Sequence, residues 1–281
     1  MTIDSQPPAP LPPLPRAPSQ AAWDAMTPAE RAATIDDLPL MLPLAHIIQR
    51  GMAEGDEHLE TRYHARDTLR RWYRSRERRV YVGSEMAVYY PGEEAASPDV
   101  FAVRDVPTHW RKSWVVTEEG KGVEWILEVL ASGRRAKDLD RNVVRYASLG
   151  VLDYFVFDIR TRRLHAWRQA APGVRRYEPI RKTGDSFASL VLGLELLVVG
   201  RKLRFRQGTS ELLTAEDLIE RLEETVAELA VNVEEQSIRA EQETARAERE
   251  TARADKEAAR AAAAEAELSA LRAEIERLRA R

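Results

Sequence analysis

Val123-Glu124-Trp125-Ile126-Leu127-Glu128-Val129-Leu130, then Asp138 to Leu149, then Tyr154-Phe155-Val156-Phe157, form the stretch on which the reading of this chain turns. The outer two segments are short and apolar, as buried strands are. The middle one sets Val143, Val144, Tyr146 and Leu149 on or near one helical face, and Gly150 stops it. Strand, helix and strand in that order make a crossover unit, so a parallel pair is expected inside a mixed sheet. Glu128 is the anomaly. It stands between large apolar neighbours, where a carboxylate without a partner costs several kcal/mol and takes up a proton instead.

Upstream, a second carboxylate has the same setting, in Ser97-Pro98-Asp99-Val100-Phe101-Ala102-Val103. Arg79 to Tyr90, Pro98 to Val103 and Ser113 to Val116 read as strands, punctuated by Gly92, Gly120 and Gly122. His58 to Arg76, with Tyr63, Leu69, Trp72 and Tyr73, suits an amphipathic helix. Leu164 to Trp167 and Val174 to Pro179 suggest a closing hairpin around Gly173. Asp99 also suits a turn, and Glu128 an edge strand facing water. On neighbouring strands, however, the two carboxylates would share the cost of burial by holding a divalent cation, which favours oxygen ligands. That is the kernel of a metal-dependent, phosphodiester-cleaving site.

Composition sets limits. The 281 residues carry 43 basic and 46 acidic side chains, a net charge of -3, so any surface for nucleic acid has to be local. Without cysteine there is no disulfide, thiolate zinc site or cysteine nucleophile. The longest apolar run, near Ser189 to Gly200, is broken by Glu195 and is shorter than the roughly 20 residues a bilayer span needs. The N-terminus lacks the pattern of a signal peptide. A cytoplasmic, membrane-free protein is the expectation.

The expected organisation has four parts. Residues 1–20 form a disordered proline-rich tail. Residues 21–44 are a short helical lead-in, starting at Thr27-Pro28-Ala29-Glu30 with the signature of a capping box. Residues 45–209 form the domain, and 210–281 a long helix. From Leu212 the chain has no Gly or Pro and repeats every seven residues. Ile219, Val226 and Val233, then Ala240 to Ala261, then Leu268 and Ile275 share one heptad position. Leu222 and Leu229, then Gln236 to Glu257, then Leu271 and Leu278 share the next. The seam is sound at both ends and poor in the middle. It reads either as a coiled coil making a homodimer or higher assembly, or as a solvated helix held by pairs such as Arg246 with Glu250.

The tract Ser97-Pro98-Asp99-Val100, Ile126-Leu127-Glu128-Val129-Leu130, Asp138 to Tyr146 and Gly150-Val151-Leu152-Asp153-Tyr154-Phe155 resembles the Uma-two family of restriction endonucleases, within the PD-(D/E)XK nuclease superfamily. The resemblance spans residues 45 to 170 and rests on order and spacing together. It implies an α/β (α+β) fold, a restriction-endonuclease-like mixed sheet flanked by helices. It further implies Mg²⁺ (or Mn²⁺) on Asp99 and Glu128, and nucleic acid, DNA above all, as the partner. In relatives a lysine stands four positions beyond the aspartate matching Asp138. Here that place holds Asn142, while Tyr146 keeps its own. Lys137 is the candidate to replace the lysine, Asn142 the candidate to orient water.

Relatives also carry an acid and a histidine on the first core helix, matched here by Glu60, a candidate extra metal ligand, and His64, read as a packing or capping residue. Arg134 and Arg135 are candidates for phosphate contact. Trp110 and Trp114, near Arg104, Arg111 and Lys112, read first as a partly buried pair and second as a stacking surface. The alternative to an endonuclease is a catalytically degenerate nuclease fold that self-associates through its C-terminal helix.

Overall fold

The computed structural model describes residues 11–43, 46, 55–131, 137–171 and 173–279. The chain divides into two units, Met1–Glu216 and Asp217–Arg281.

Ser19 caps α1 (Gln20–Ala25) by accepting from the Ala22 N–H. Thr27 opens α2 (Pro28–Asp37) with the expected capping box: its N–H donates to the Glu30 carboxylate at 2.7 Å, and the Glu30 N–H donates back to Thr27 Oγ1 at 3.3 Å. The helix α3 (Asp56–Arg74) buries His58, Arg62, Ala65, Thr68, Leu69 and Tyr73, an amphipathic stripe with three polar members. The segment Arg79 to Tyr90, expected as one strand, is two: β1 (Val80–Gly83) and β2 (Val88–Tyr89). Glu85, at φ +54°, breaks the extended run between them. Gly83 has no freedom to be anything larger, because a Cβ there would stand 2.3 Å from the Phe101 ring.

Next come β3 (Val100–Arg104), β4 (Trp114–Val115), the single turn α4 (Val116–Glu119) and β5 (Trp125–Leu130). A π-helical turn, Lys137–Arg141, leads into α5 (Asn142–Leu149), which Gly150 ends at φ +87°. β6 (Asp153–Asp158), β7 (Arg163–Gln169) and β8 (Tyr177–Pro179) complete a six-stranded sheet of order β1-β3-β5-β6-β7-β8. Only β5 and β6 run parallel in it, as the crossover requires.

Alternation along these strands sorts the core into two layers. Trp125, Leu127, Val129, Phe155 and Phe157 pack with Ala65, Leu69 and Tyr73 of α3. Ile126, Leu130, Tyr154 and Val156 pack on the other face with Tyr146 of α5. Glu128 falls in register with Ile126 and Leu130, so it points toward α5. A second, four-stranded antiparallel sheet comprises β9 (Ser186–Ser189), β10 (Leu194–Val199), β11 (Lys202–Gln207) and β12 (Ser210–Glu211). Its Leu194, Leu196, Leu203 and Phe205 join the α3 layer, so the apolar run near Ser189 to Gly200 is a core hairpin.

Part of the proline-rich stretch is packed. Ala17, with Leu38 and Leu42, covers Ala87, Tyr89 and Val115 around the small parallel pair β2–β4. Arg16 pairs with Glu94 at 2.8 Å, and the Ala95 N–H donates to the Pro15 carbonyl at 2.8 Å. A segment unable to build a core can still lie across one. Residues 1–10 fall outside the described residues.

The helix α6 (Ala215–Arg279) runs 65 residues without interruption, about 100 Å at ~1.5 Å per residue. Ile219, Leu222, Val226, Leu229 and Val233 near its start, and Leu268, Leu271, Ile275 and Leu278 near its end, are exposed. Among the described residues no helix is long and apolar enough to cross a membrane.

Candidate active site

The register of β3 on β5 builds the site. Val100 faces Leu127, so the next position outward sets Asp99 opposite Glu128. The backbone and the two acids then interlock. The Val129 N–H donates to Asp99 Oδ2 at 2.6 Å, and the Asp99 N–H donates to Glu128 Oε2 at 3.4 Å. From α5 the Tyr146 hydroxyl donates to Glu128 Oε1 at 2.7 Å. From α3 come an imidazole and a guanidinium: His58 Nε2 lies 3.5 Å from Asp99 Oδ2, and Arg62 Nη1 lies 3.8 Å from Asp99 Oδ1. Arg62 is itself buried and also meets Glu85 at 2.6 Å.

These contacts set the charge of Asp99. Burial alone would raise its pKa. The hydrogen bond and charge of His58, the Val129 N–H and the Arg62 charge outweigh burial and hold the carboxyl below its ordinary value. Asp99 is therefore an ionised acid facing a second acid across one strand step. Beside them Tyr154 is pushed the other way, first by burial and then by the charges of Glu128, Tyr146 and Asp138, so it stays a neutral phenol. It donates to the Asp138 carbonyl at 2.9 Å, anchoring the π-helical turn against the sheet.

The remaining sequence candidates divide. Asn142 is buried and donates its amide to Asp138 Oδ1 at 2.9 Å, one helical turn back. Lys137 starts the π-helical turn, but its side chain lies outside the described residues, as do Arg134 and Arg135 entirely. Glu60 is exposed. It sits two residues from both His58 and Arg62, hence on the opposite side of α3 from the groups that reach Asp99. His64 pairs with Glu216 at 3.0 Å, away from the acids. Trp114 is fully buried and Trp110 is 91% exposed, so the two indoles are not a pair.

Neither His58 nor Arg62, both of which contact Asp99, is among the sequence candidates for the site. The signal is present: they occupy the inward positions of a stripe that continues through Ala65 and Leu69, where apolar side chains belong.

Among the described residues no three or more His, Asp or Glu side chains converge to cage an ion. Two opposed carboxylates fit a hard cation of the Mg²⁺ kind, which keeps several waters and takes its other oxygens from a substrate phosphate.

The family model described as "Putative restriction endonuclease", Uma2, matches residues 46–199. Among solved structures, a "putative nuclease belonging to DUF820" from Anabaena variabilis is similar at 10% identity, covering 49% of this chain and 74% of that one, with a TM-score of 0.39. No curated protein matches.

Proposed function

Because the chain belongs to the Uma2 family, described as "Putative restriction endonuclease", we propose that it hydrolyses phosphodiester bonds of nucleic acid, DNA in the first instance, using Mg²⁺ or Mn²⁺ at Asp99 and Glu128. The observation that carries this reading is the β3–β5 register, which opposes two carboxylates at one end of an apolar sheet. A divalent ion supplies charge neutralisation at the phosphate and a lowered pKa for attacking water. The protein's own groups prepare the place. Tyr146 fixes the rotamer of Glu128, the Val129 N–H fixes Asp99, and His58 with Arg62 keeps Asp99 ionised. Lys137, next to Asp138, is assigned to the leaving oxygen or the water. Asn142 positions Asp138 and with it the turn that carries Lys137.

The test is plasmid nicking with Mg²⁺ and Mn²⁺ by wild type, Asp99→Ala and Glu128→Ala. Each variant is expected to lose at least about 100-fold, more than groups standing behind a ligand typically contribute. Equal rates in all three would end the reading. Calorimetric titration of Mn²⁺ into wild type and Glu128→Gln examines the same site without a substrate.

A second reading has its own observation: a buried asparagine, bonded to Asp138, stands where relatives place lysine. On that reading the domain is a worn nuclease fold carried by a self-associating helix. Assembly through residues 210–281 is common to both readings, supported by the exposed Ile, Leu and Val residues at the two ends of α6. Replacing Leu222, Leu229 and Leu271 by Glu is expected to convert a dimer or larger species to monomer by light scattering. A monomeric wild type would refute it.

A further inference from the structure

At the edge of the sheet, beyond the acids, lies a cleft of about 570 Å³ lined by Arg70, Tyr73, Arg74, Arg78, Arg79, Tyr81, His109 and Trp110, with Glu77, Val80, Val82 and Thr108 completing the wall. We propose that this cleft binds a single-stranded segment of nucleic acid, with arginines on its phosphates and Trp110 stacked on a base. The proposal rests on the nuclease reading for the identity of the polyanion, and it adds where the strand runs and in what form.

Four features support it. First, the cations are available. Arg70 donates Nε–H to the Val82 carbonyl at 2.9 Å, but among the described residues no carboxylate forms an ion pair with Arg70, Arg74, Arg78 or Arg79. Elsewhere in the same unit arginines are neutralised, as Arg104 is by Glu124, Arg168 by Asp153 and Arg206 by Glu195. Among the described residues of the lining, Glu77 is the single acid, against four arginines.

Second, the cations lead from the candidate active site. Arg62, Arg66, Arg70 and Arg74 follow one another at four-residue steps along α3, the first two paired with Glu85 and Asp99 and with Asp67, the last two without an ion pair among the described residues. Arg62 meets Asp99, and Arg70 and Arg74 enter the cleft. The row thus joins the two places over about 18 Å at ~1.5 Å per residue.

Third, the indole is mounted. Trp110 is 91% exposed, yet its loop is braced underneath. Arg111 donates to the Pro107 and His109 carbonyls at 2.9 and 3.1 Å and pairs with Glu119 at 2.5 and 2.9 Å. Its guanidinium also lies over the Tyr81 and Trp114 rings. An apolar ring presented to water on a fixed support costs free energy that a stacked base would return.

Fourth, form favours an unpaired strand. A cleft of about 570 Å³ has the size of a small-ligand site. In a duplex the base faces are already stacked on each other and only their edges are shown in the grooves, so an indole finds a free base face only on an unpaired strand.

The test uses the full chain in chelator, without added metal, so that binding is read apart from cleavage. Fluorescence anisotropy follows a fluorescein-labelled oligothymidylate of about 20 nucleotides, compared with a hairpin duplex carrying the same label. Wild type is expected to prefer the single strand. Trp110→Ala is expected to weaken it about tenfold. The double variant Arg74→Ala/Arg78→Ala is expected to lower the slope of log affinity against log salt by about 1.4, at ~0.7 for each phosphate no longer neutralised. All three side chains are exposed, so these variants keep their fold, and circular dichroism checks that. Unchanged affinity in Trp110→Ala, an unchanged salt slope in the double variant, or a preference for the duplex each overturns the proposal. Binding that survives in Asp99→Ala while cleavage is abolished, or a wild type that binds without cleaving, leaves the cleft standing whatever becomes of the nuclease reading.

Discussion

The two ends of the β5–β6 pair both hold acids in apolar strands, and the protein treats them in opposite ways. At the starting end, Asp153 accepts from Arg168 at 2.7 and 3.3 Å, from the Ser189 hydroxyl at 2.8 Å and from the Val191 N–H at 3.3 Å. Glu124 beside it accepts from the Arg104 backbone and guanidinium at 2.7, 3.3 and 2.8 Å, with Lys121 at 3.4 Å. At the far end, Asp99 faces Glu128, and the α3 side chains that reach Asp99, His58 and Arg62, do so at 3.5 and 3.8 Å without a forked guanidinium pair. An acid tied to a forked guanidinium solves a folding problem. An acid set against another acid creates one, which is where function is usually found.

Stability measurements can break that contrast. Asp153→Asn leaves Arg168 facing a neutral partner and disturbs the Ser189 and Val191 bonds, so a loss of about 3 kcal/mol in urea unfolding is expected. Glu128→Gln keeps an acceptor for Tyr146 and removes like-charge repulsion with Asp99. Its unfolding free energy is expected to stay within about 1 kcal/mol of wild type or to rise, while cleavage disappears. If Glu128→Gln destabilises as much as Asp153→Asn, the far end is another structural carboxylate and not a site.

The same contrast shows what sequence can and cannot convey. Glu128 and Asp99 are legible because each interrupts a local apolar run, a pattern contained within six or seven residues. The crossover of β5, α5 and β6 is legible for a similar reason, since Gly150 and the helical face of Val143, Tyr146 and Leu149 are local, although Val144, expected near that face, is exposed. What escapes depends on tertiary placement. The interruption at Glu85 divides an apparently continuous strand, and nothing in Arg79 to Tyr90 marks that residue for positive φ. The second sheet lies hidden in a run that reads only as too short for a membrane. His58 and Arg62 are submerged among the eight arginines and two histidines spread from His58 to Arg79; only the inward face of α3 distinguishes them. Glu60 is suggested by analogy of position, and helical phase turns it outward. Trp110 and Trp114 look equivalent at four residues apart, but one belongs to a braced loop and the other to a strand.

A smaller effect sharpens the comparison from the starting end, through pH. Burial works to raise the pKa of Glu124, but the Arg104 side-chain and backbone hydrogen bonds and the charges of Arg104 and Lys121 prevail, holding it below the ordinary 4.5. A carboxyl depressed in the folded state contributes stability that is present above the unfolded value and lost as pH falls through the folded one. Arg104 is partly exposed and also feels Asp105 and Asp153, so the contribution of this pair is about 1 kcal/mol. Glutamine at this position mimics the protonated acid. The gap in thermal midpoint between wild type and Glu124→Gln should therefore be constant near neutrality, shrink below pH 4.5 and close once Glu124 is protonated. A gap that persists undiminished in acid would mean that Glu124 acts through shape and neutral hydrogen bonds, and that the starting end of the sheet is held together by something other than its charges.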